Sequence, residues 1–582
     1  MKSMKRLLSY ILAVPLALLF CTPAFAQTRG NGMTVSITGR VTDSNHAPIP
    51  GAVVVARGTP TGALTAEDGT YSITAKKGQV LEFSVLGYAT EEVIVDTQTR
   101  IDVILKEDAE LLQEAIVEVG YGERRLVDVT GTVSRVNVED MVKAPVVTFD
   151  QAMQGRIAGV NITSADGQPG QGMDIVIRGA NSLTQSNSPL YIIDGFPMED
   201  FSASAVSAND IASITVLKDA SSTAIYGSRA ANGVIIIETK KGKLGSPTVT
   251  YNGTFGIQQV TKTMDLMDPY EFVSYQLERS NTSSTYNYYL TDRGMTLEDY
   301  KNVEPVNWQE KVFRTAPIRM HNLSMMGGNG ETRYSASGSI VNQEGVIINS
   351  GYQKYSGRMA LEQKLRKNLT LGLNVSYSED KTYGQTSSAQ LSDNSAYTTH
   401  LMYRTWAYKP ILMDSQNLDD LFDDDIEAMG IGNTVMNPYV SNSNEQISNK
   451  KIMFNGNGFL KWNIQEGLTM QVRGGYSKYI KRQENFYNSK TYQGYSSVNN
   501  SKDVNALFRE TINTSWLEEN TLTWNKTVED KHKFELMGGF TMEGAKSSIY
   551  GFTTIQIPNE ALGLSGMDDG LPESTTVTSG WL

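Results

Sequence analysis

The sequence predicts a mainly β chain in three parts: a small N-terminal β-sandwich, a compact α+β unit, and a partial transmembrane antiparallel β-barrel. Three observations carry this. Strands in the C-terminal half alternate apolar and polar residues over long stretches, as a wall between lipid and a wet lumen requires. Tyrosine (28) and glycine (51) are plentiful while proline (17) is scarce, which favours long strands. Beyond the N-terminus no apolar run is long enough to span a bilayer as a helix, so any crossing is made by strands.

The first 26 residues read as a signal peptide. Lys2, Lys5 and Arg6 precede an apolar core at residues 7–20, and Ala24-Phe25-Ala26 offers a small-x-small cleavage site before Gln27. The core is shorter than the ~20 residues of a spanning helix. Cys21 is the single cysteine, and Phe20 before it is too large for a lipoprotein site. The mature chain is therefore expected to hold no disulfide, thiolate nucleophile or cysteine metal site. A net charge of -12 argues against a nucleic-acid partner.

Residues 27–107 hold the sandwich. Short strands such as SITGRV, AVVVARG, YSITA and LEFSVLG are separated by turn signals at residues 43–45, 50–51 and 67–69. Residues 108–122 are an extended linker, LLQEAIVEVGYG at its centre, flanked by two domains. An unpaired strand of this kind suits capture by a partner's sheet.

Residues 123–245 form the α+β unit. Its last piece, residues 209–243, reads as a compact βαβ-like unit: a strand, a small-residue turn or short helix, a bend at Gly227 and a second strand. Gly155 and Gly159 are expected to let a short helix pack tightly, Pro169-Gly170 to make a turn, and Asp194-Gly195 to close a hairpin. Arg156, Arg178 and Arg229 are expected to be buried and so to need partners, for which Asp194, Asp219 and carboxylates of the wall are candidates, with Lys218 in the same network. The Gly-rich GQPGQG lacks the GK[ST] that would mark a phosphate loop.

About nine long strands follow from residue 246, near 248–260, 318–327, 331–341, 352–365, 369–378, 452–464, 468–481, 511–524 and 532–547. On the fourth, Tyr355, Gly357, Met359, Leu361 and Leu365 take one face, and Lys354, Ser356, Arg358, Ala360, Glu362 and Lys364 the other. Residues 381–450 read as one long loop. Its acidic run DDLFDDDIE (residues 419–427) is the single candidate for calcium, but without the EF-hand glycine and spacing it reads as a solvated loop. No other cofactor is indicated.

Several motifs resemble those of SusC-like TonB-dependent outer-membrane transporters. ITGRVTDSNHAPIPGAVVVARG and TAEDGTYSI are similar to the carboxypeptidase-regulatory-like domain at the front of many of them, with Asn45-His46 where a glycine is usual. MQGRIAGVNI, GQPGQGMDIVIRGANSL, PLYIIDGFP and residues 209–243 resemble the plug. The resemblance implies that Glu114, Ala115, Ile116, Val117, Glu118 and Val119 form the TonB box, although Glu118 interrupts the usual aliphatic run. It also implies TonB as a periplasmic partner, a SusD-like surface lipoprotein as a lid, and a glycan or peptide as cargo. The location it implies is the outer membrane of a Gram-negative, Bacteroidetes-like bacterium. Plugged transporters have ~22 strands, so about nine, with the last residues in a loop, suggest the N-terminal part of such a barrel, which would leave two unpaired edges.

An enzyme is not expected. His46, His321, His400 and His532 include no HExxH, and His532 and Glu535 sit three apart in a strand, on opposite faces. No GxSxG is present. The alternative reading is a surface-exposed β-rich binding or adhesion protein without transport activity. Signalling through an anti-sigma factor would call for an additional N-terminal domain.

Overall fold

The computed structural model describes residues 34–581 apart from 44–45, 58–61, 86–87, 89, 97, 106–115, 120–121, 126–132, 137, 142–145, 165–166, 199–204, 281, 386–399, 413–435, 497–499 and 529–531. The expected signal peptide, Glu114 and Ala115 of the expected TonB box, and the acidic run lie outside the described residues. The chain divides into two compact units, Met1–Ile116 and Val117–Leu582.

The first unit is a sandwich of two sheets, β4-β1-β7 and β3-β2-β5-β6. Its strands are β1 (Thr34–Thr42), β2 (Val53–Ala56), β3 (Gly62–Leu64), β4 (Thr70–Lys76), β5 (Val80–Ser84), β6 (Glu91–Ile94) and β7 (Val103–Ile104). Strict alternation on β4 buries Tyr71, Ile73 and Ala75 and exposes the residues between them. The Tyr71 ring meets Phe83 edge to face at 5.3 Å, and its hydroxyl donates to the Ile101 carbonyl at 2.8 Å. Gly39 is required here, because a Cβ would lie 1.7 Å from the Ile101 oxygen. In the turn after β1, His46 takes the left-handed backbone, with φ 64°.

In the second unit, β8 (Ile116–Val119) pairs with β9 (Gly122–Arg125). The plug core is a mixed sheet, β10-β15-β16-β13-β14. It combines β10 (Val133–Val136), β13 (Leu190–Ile193), β14 (Phe196–Met198), β15 (Ile211–Leu217) and β16 (Val234–Thr239). A separate pair joins β11 (Val160–Thr163) to β12 (Asp174–Ile177). Short helices α1 (Val138–Met141), α2 (Phe149–Met153) and α3 (Ala220–Thr223) complete it. The run Val234-Ile235-Ile236-Ile237 is buried on both sides, as a central strand covered on both faces must be. β15 and β16 pair antiparallel, not as a parallel crossover, while β16 runs parallel to β13. Between β15 and β16, Gly227 takes φ 66° and ψ -154°, the bend read from the sequence. Gly155 and Gly159 also have positive φ, but a Cβ would meet nothing within 4 Å, so they serve left-handed turns and not close packing.

Ten strands form the wall in simple meander order. They are β17 (Gly245–Gln258), β18 (Ala316–Gly328), β19 (Thr332–Glu344), β20 (Gly351–Arg366), β21 (Leu369–Tyr383), β22 (Gln446–Gln465), β23 (Leu468–Tyr487), β24 (Asn505–Val528), β25 (His532–Ile555) and β26 (Leu571–Trp581). The nine expected strands are all present, most of them longer than the apolar pattern indicated. The tenth, β26, occupies residues read as a loop. Its sequence LPESTTVTSGW lacks sustained alternation, and pairing with β25 draws it into the sheet, Lys546 lying over the Trp581 ring at 5.3 Å. Among the described residues β17 and β26 pair on one side only. One end of the wall has short turns, at residues 329–331, 367–368 and 466–467. The other carries longer connections with helices α4 (Pro269–Arg279), α5 (Ser283–Tyr289), α6 (Trp308–Val312), α7 (Leu401–Ala407) and α8 (Pro438–Asn444). The last two lie in the insert expected to be a plain loop. On β20, Tyr355, Met359 and Leu365 are exposed on one face, whereas Lys354 and Arg358 are buried against the plug on the other.

Candidate functional site at the seam between plug and wall

The hairpin between β13 and β14 turns at Asp194 (φ 48°) and Gly195 (φ 81°), both in the left-handed region that a two-residue turn demands. This turn aims the Asp194 carboxylate at the end of β16. There it accepts from the Thr239 backbone N–H at 2.9 Å and the Thr239 hydroxyl at 2.6 Å. Arg358 of β20 reaches the same point. It pairs with Asp194 at 3.4 Å, bonds the Thr239 hydroxyl, and donates to the Lys240 carbonyl at 2.9 Å and the Asn374 side chain at 3.1 Å. The Arg358 and Asp194 side chains are 9% and 5% exposed. Ser335 of β19 also donates to the Lys240 carbonyl, at 2.9 Å. One wall arginine thus grips the plug hairpin and the last plug strand just before the chain passes into β17.

Close approach reinforces the seam. A Cβ on Gly195 would lie 2.4 Å from the Arg473 guanidinium, which donates to the Gly195 carbonyl at 3.3 Å. A Cβ on Gly170 would strike the Tyr352 ring at 1.9 Å, and one on Gly475 of the wall would strike Phe196 at 2.3 Å. Asp210, buried at the base of β15, is pushed above the usual carboxylate range by desolvation; a hydrogen bond with Ser337 and the charges of Arg358, Lys354 and Lys240 pull the other way.

The plug charges read from the sequence part company in the structure. Asp194 partners Arg358 of the wall and not a plug arginine. Arg229 pairs with Glu543 of the wall at 2.9 Å. Arg178 pairs with Asp219 inside the plug, where both side chains keep partial solvent access. Lys218 donates to the Ser134 hydroxyl at 2.6 Å and to the Ala158 carbonyl. Burial and the neighbouring Arg178 hold its ammonium below the usual lysine value. The expectation of buried arginines fails: Arg156 and Arg229 are exposed and Arg178 is half exposed, because long side chains at the plug surface keep their heads in water. Sequence reasoning missed Arg358 as a functional residue. It shares the lumen face of β20 with Lys354, Glu362 and Lys364, so no local signal set it apart. Of the residues expected to form the TonB box, Ile116, Val117, Glu118 and Val119 form β8, which pairs with β9 and so is not the unpaired strand read from the sequence. Among the described residues no group of acidic, histidine or cysteine side chains is placed to hold a metal ion.

A compact plug seated by such contacts against a meander of long strands is the fold of a TonB-dependent receptor. The family model for the TonB-dependent receptor plug domain matches residues 125–234, and that for a CarboxypepD_reg-like domain matches residues 37–117. The chain is 33% identical to TonB-dependent receptor P26 of Formosa agariphila over 94% of its own length and 52% of that protein. It is 35% identical to TonB-dependent receptor SusC of Bacteroides thetaiotaomicron over 63% of its length and 35% of that protein. The RagAB peptide importer in its open-open state is similar in structure, with TM-score 0.66 and 25% identity over 80% of this chain and 53% of that one. The chain belongs to the SusC-like TonB-dependent receptors. It spans about half the length, or less, of the curated relatives it matches.

Proposed function

We propose that this chain serves TonB-dependent active import of a nutrient, a glycan or a peptide, across the outer membrane, together with a SusD-like lipoprotein lid. The observation that carries the reading is Arg358 binding both Asp194 and Thr239. These polar contacts lie beside the step from Lys240 to β17, while Met453 and Leu517 of the wall pack against the plug core and Arg229 pairs with Glu543. Such a plug can be shifted by a pull on its N-terminal side without tearing the wall.

The segment that takes the pull is residues 114–119. Strand addition by TonB would engage main-chain groups there, which tolerates the unusual Glu118. Glycan and peptide remain the two cargo classes: the family resemblance favours either, and the structurally similar RagAB is a peptide importer. The outward apolar face of the wall, the short turns at one end and the longer connections at the other support an outer-membrane position with the helices α4 to α8 outside the cell. Export by the N-terminal signal peptide fits that location.

Deleting residues 114–119 from the receptor in its native cell tests this. Uptake of fluorescently labelled maltooligosaccharides and of a labelled tryptic peptide digest is measured beside the heat-modifiable barrel band. Loss of uptake of either probe with the band retained is expected. Unchanged uptake refutes the box, and a protein washed from membranes by salt supports the binding-protein alternative.

A further inference from the structure

We infer that Lys451, Lys481 and Arg509 form an anion site on the lumen face just past the plug, and that it takes the carboxylate or sulfate groups of an acidic oligosaccharide; this rests on the transport reading above and narrows its cargo. In the sheet register Lys451 of β22 stands directly opposite Lys481 of β23. Arg509 of β24 lies diagonal to Lys481, because Thr511 is opposite Lys481 and Arg509 is opposite Gln483. Side chains so placed share a face, with Cβ atoms about 5 Å apart for the direct pair and about 7–8 Å for the diagonal. Two residues along the same face, Met453 and Tyr479 pack against the plug core. The lysines therefore stand one rung beyond the plug, on the side of the long connections, and Arg509 one rung further. Lys451 is half-buried, and Lys481 and Arg509 are exposed.

The two faces of these strands treat charge differently. On the outer face the neighbouring cations have carboxylates: Lys450 pairs with Glu379 at 2.6 Å and Arg482 with Glu510 at 2.7 Å. On the lumen face, among the described residues, Lys451, Lys481 and Arg509 form no ion pair. Asp380 stands opposite Lys451, but it stands opposite Lys354 as well. Both charges that act on Lys481 are positive, those of Lys451 and Arg509. Like charges directly opposite one another destabilise a sheet. The arrangement therefore costs stability until an anion sits among the three.

The neighbours decide which carrier of the anion fits. Asn449, Gln483, Thr511 and Asn513 surround the cations on the same face. Carboxamides and hydroxyls match the hydroxyls of a sugar, which also donate and accept. Arg509 offers a planar fork to a carboxylate or sulfate, and the lysines act as point charges. An oligosaccharide with anionic groups along its length meets both kinds of partner at once. Its dense hydroxyls use the neutral groups more fully than the spaced amides of an acidic peptide.

The test measures binding to the intact receptor in detergent micelles by fluorescence anisotropy. The labelled probes are partial hydrolysates of pectin (carboxylate), carrageenan (sulfate) and amylose (neutral), and an oligoglutamate. Pectin or carrageenan fragments are expected to bind about tenfold or more tightly than amylose, and whichever binds identifies the anion. K481Q with R509Q is expected to weaken that binding about tenfold or more. The preference for the acidic fragments should collapse in about 1 M salt, where the Debye length is about 3 Å. A second readout is independent of the probe: K481Q removes a like-charge contact and is expected to raise the Tm of the empty receptor.

Amylose bound as tightly as the acidic fragments, oligoglutamate bound alone, no probe bound, or binding that K481Q with R509Q leaves intact each overturns the proposal. A lower Tm in K481Q, or its failure to fold, would mark the cations as structural and equally overturns it. Acidic fragments that bind as expected but do not enter cells bearing the unaltered receptor leave the site standing, and it is then the transport reading that fails.

Discussion

Arg358 of the wall and Asp194 of the plug, 164 residues apart in sequence, form a nearly dry ion pair at 3.4 Å, with Thr239 of the plug's last strand bonded to both. Removing one partner of such a pair leaves the other charge buried without compensation, at a cost of about 3–5 kcal/mol. R358M is therefore expected to unseat the plug end of β16 while leaving the wall intact. Amide exchange across β16 is the measurement. In a double-mutant cycle with D194A the two losses should be strongly non-additive, and simple additivity would show that the residues act separately.

Gly195 and Gly159 have nearly the same backbone, φ 81° and 73°, but different surroundings. At Gly195 a Cβ meets Arg473 at 2.4 Å; at Gly159 it meets nothing within 4 Å. G159A should cost only the left-handed backbone penalty, ~1 kcal/mol. G195A should cost more, because the Arg473 head must also move off the Gly195 carbonyl it bonds. Thermal unfolding of the purified receptor ranks the two, and equal losses would contradict the importance of the contact.

The wall was legible because period-two alternation survives wherever one face meets lipid, as Tyr355, Met359 and Leu365 illustrate against Lys354 and Arg358. It faded where strands run on past the apolar belt: in Asn505 to Glu510 of β24 only Ala506 and Phe508 face a local apolar cluster with Phe486 and Ile557, too short a run to show a period. β26 was missed for a related reason, since Thr and Ser residues between Pro572 and Gly580 adopt the strand through pairing to β25. Plug turns were legible at Asp194-Gly195 and Gly227, whose residue types report backbone directly. The seam was not. Arg358 looked like any charge on a wet face, and nothing local to Asp194 distinguishes a partner in the plug from one far along the chain. The helices α7 and α8 escaped because their sequences, LMYRTWA and PYVSNSN, are too short to show a period.

Asp210 gives the seam a pH dependence. Its folded value is raised, with desolvation the largest cause. The stabilising contribution of its proton is full below the unfolded carboxylate value of about 3.9 and is lost as pH rises through the higher folded value. The attraction of Arg358, Lys354 and Lys240 offsets the desolvation without cancelling it. Protection of β15 in the seated plug should therefore increase on acidification from neutral pH, by a modest amount that D210N abolishes. Exchange measured at several pH values, corrected for intrinsic rates, checks this; a plug that loosens on mild acidification would show that the ionised form is the stabilising one.

The connections at the long-loop end are pinned by a second dry pair. Arg404 of α7 and Glu445 at the end of α8 lie 3.4 Å apart with side chains 1% exposed, and Ser441 bonds both, at 2.6 Å from Arg404 and 2.9 Å from Glu445. Asn349, on the connection between β19 and β20, donates to the carbonyls of Asn442 and Glu445, each at 2.8 Å, and the Tyr492 N–H donates to Ser441 at 3.2 Å. Three connections therefore converge on one short polar helix with little apolar area to hold it. R404M strands the Glu445 carboxylate and should cost about 3–5 kcal/mol, whereas R404M with E445L replaces both charges by apolar groups and should recover much of the loss. Proteolysis of intact cells at these connections reads the difference: the single variant is expected to be cut readily and the double variant to approach the unaltered receptor. Equal susceptibility of the two variants would mean that the hydrogen bonds of Asn349 and Ser441, and not the ion pair, hold the connections together.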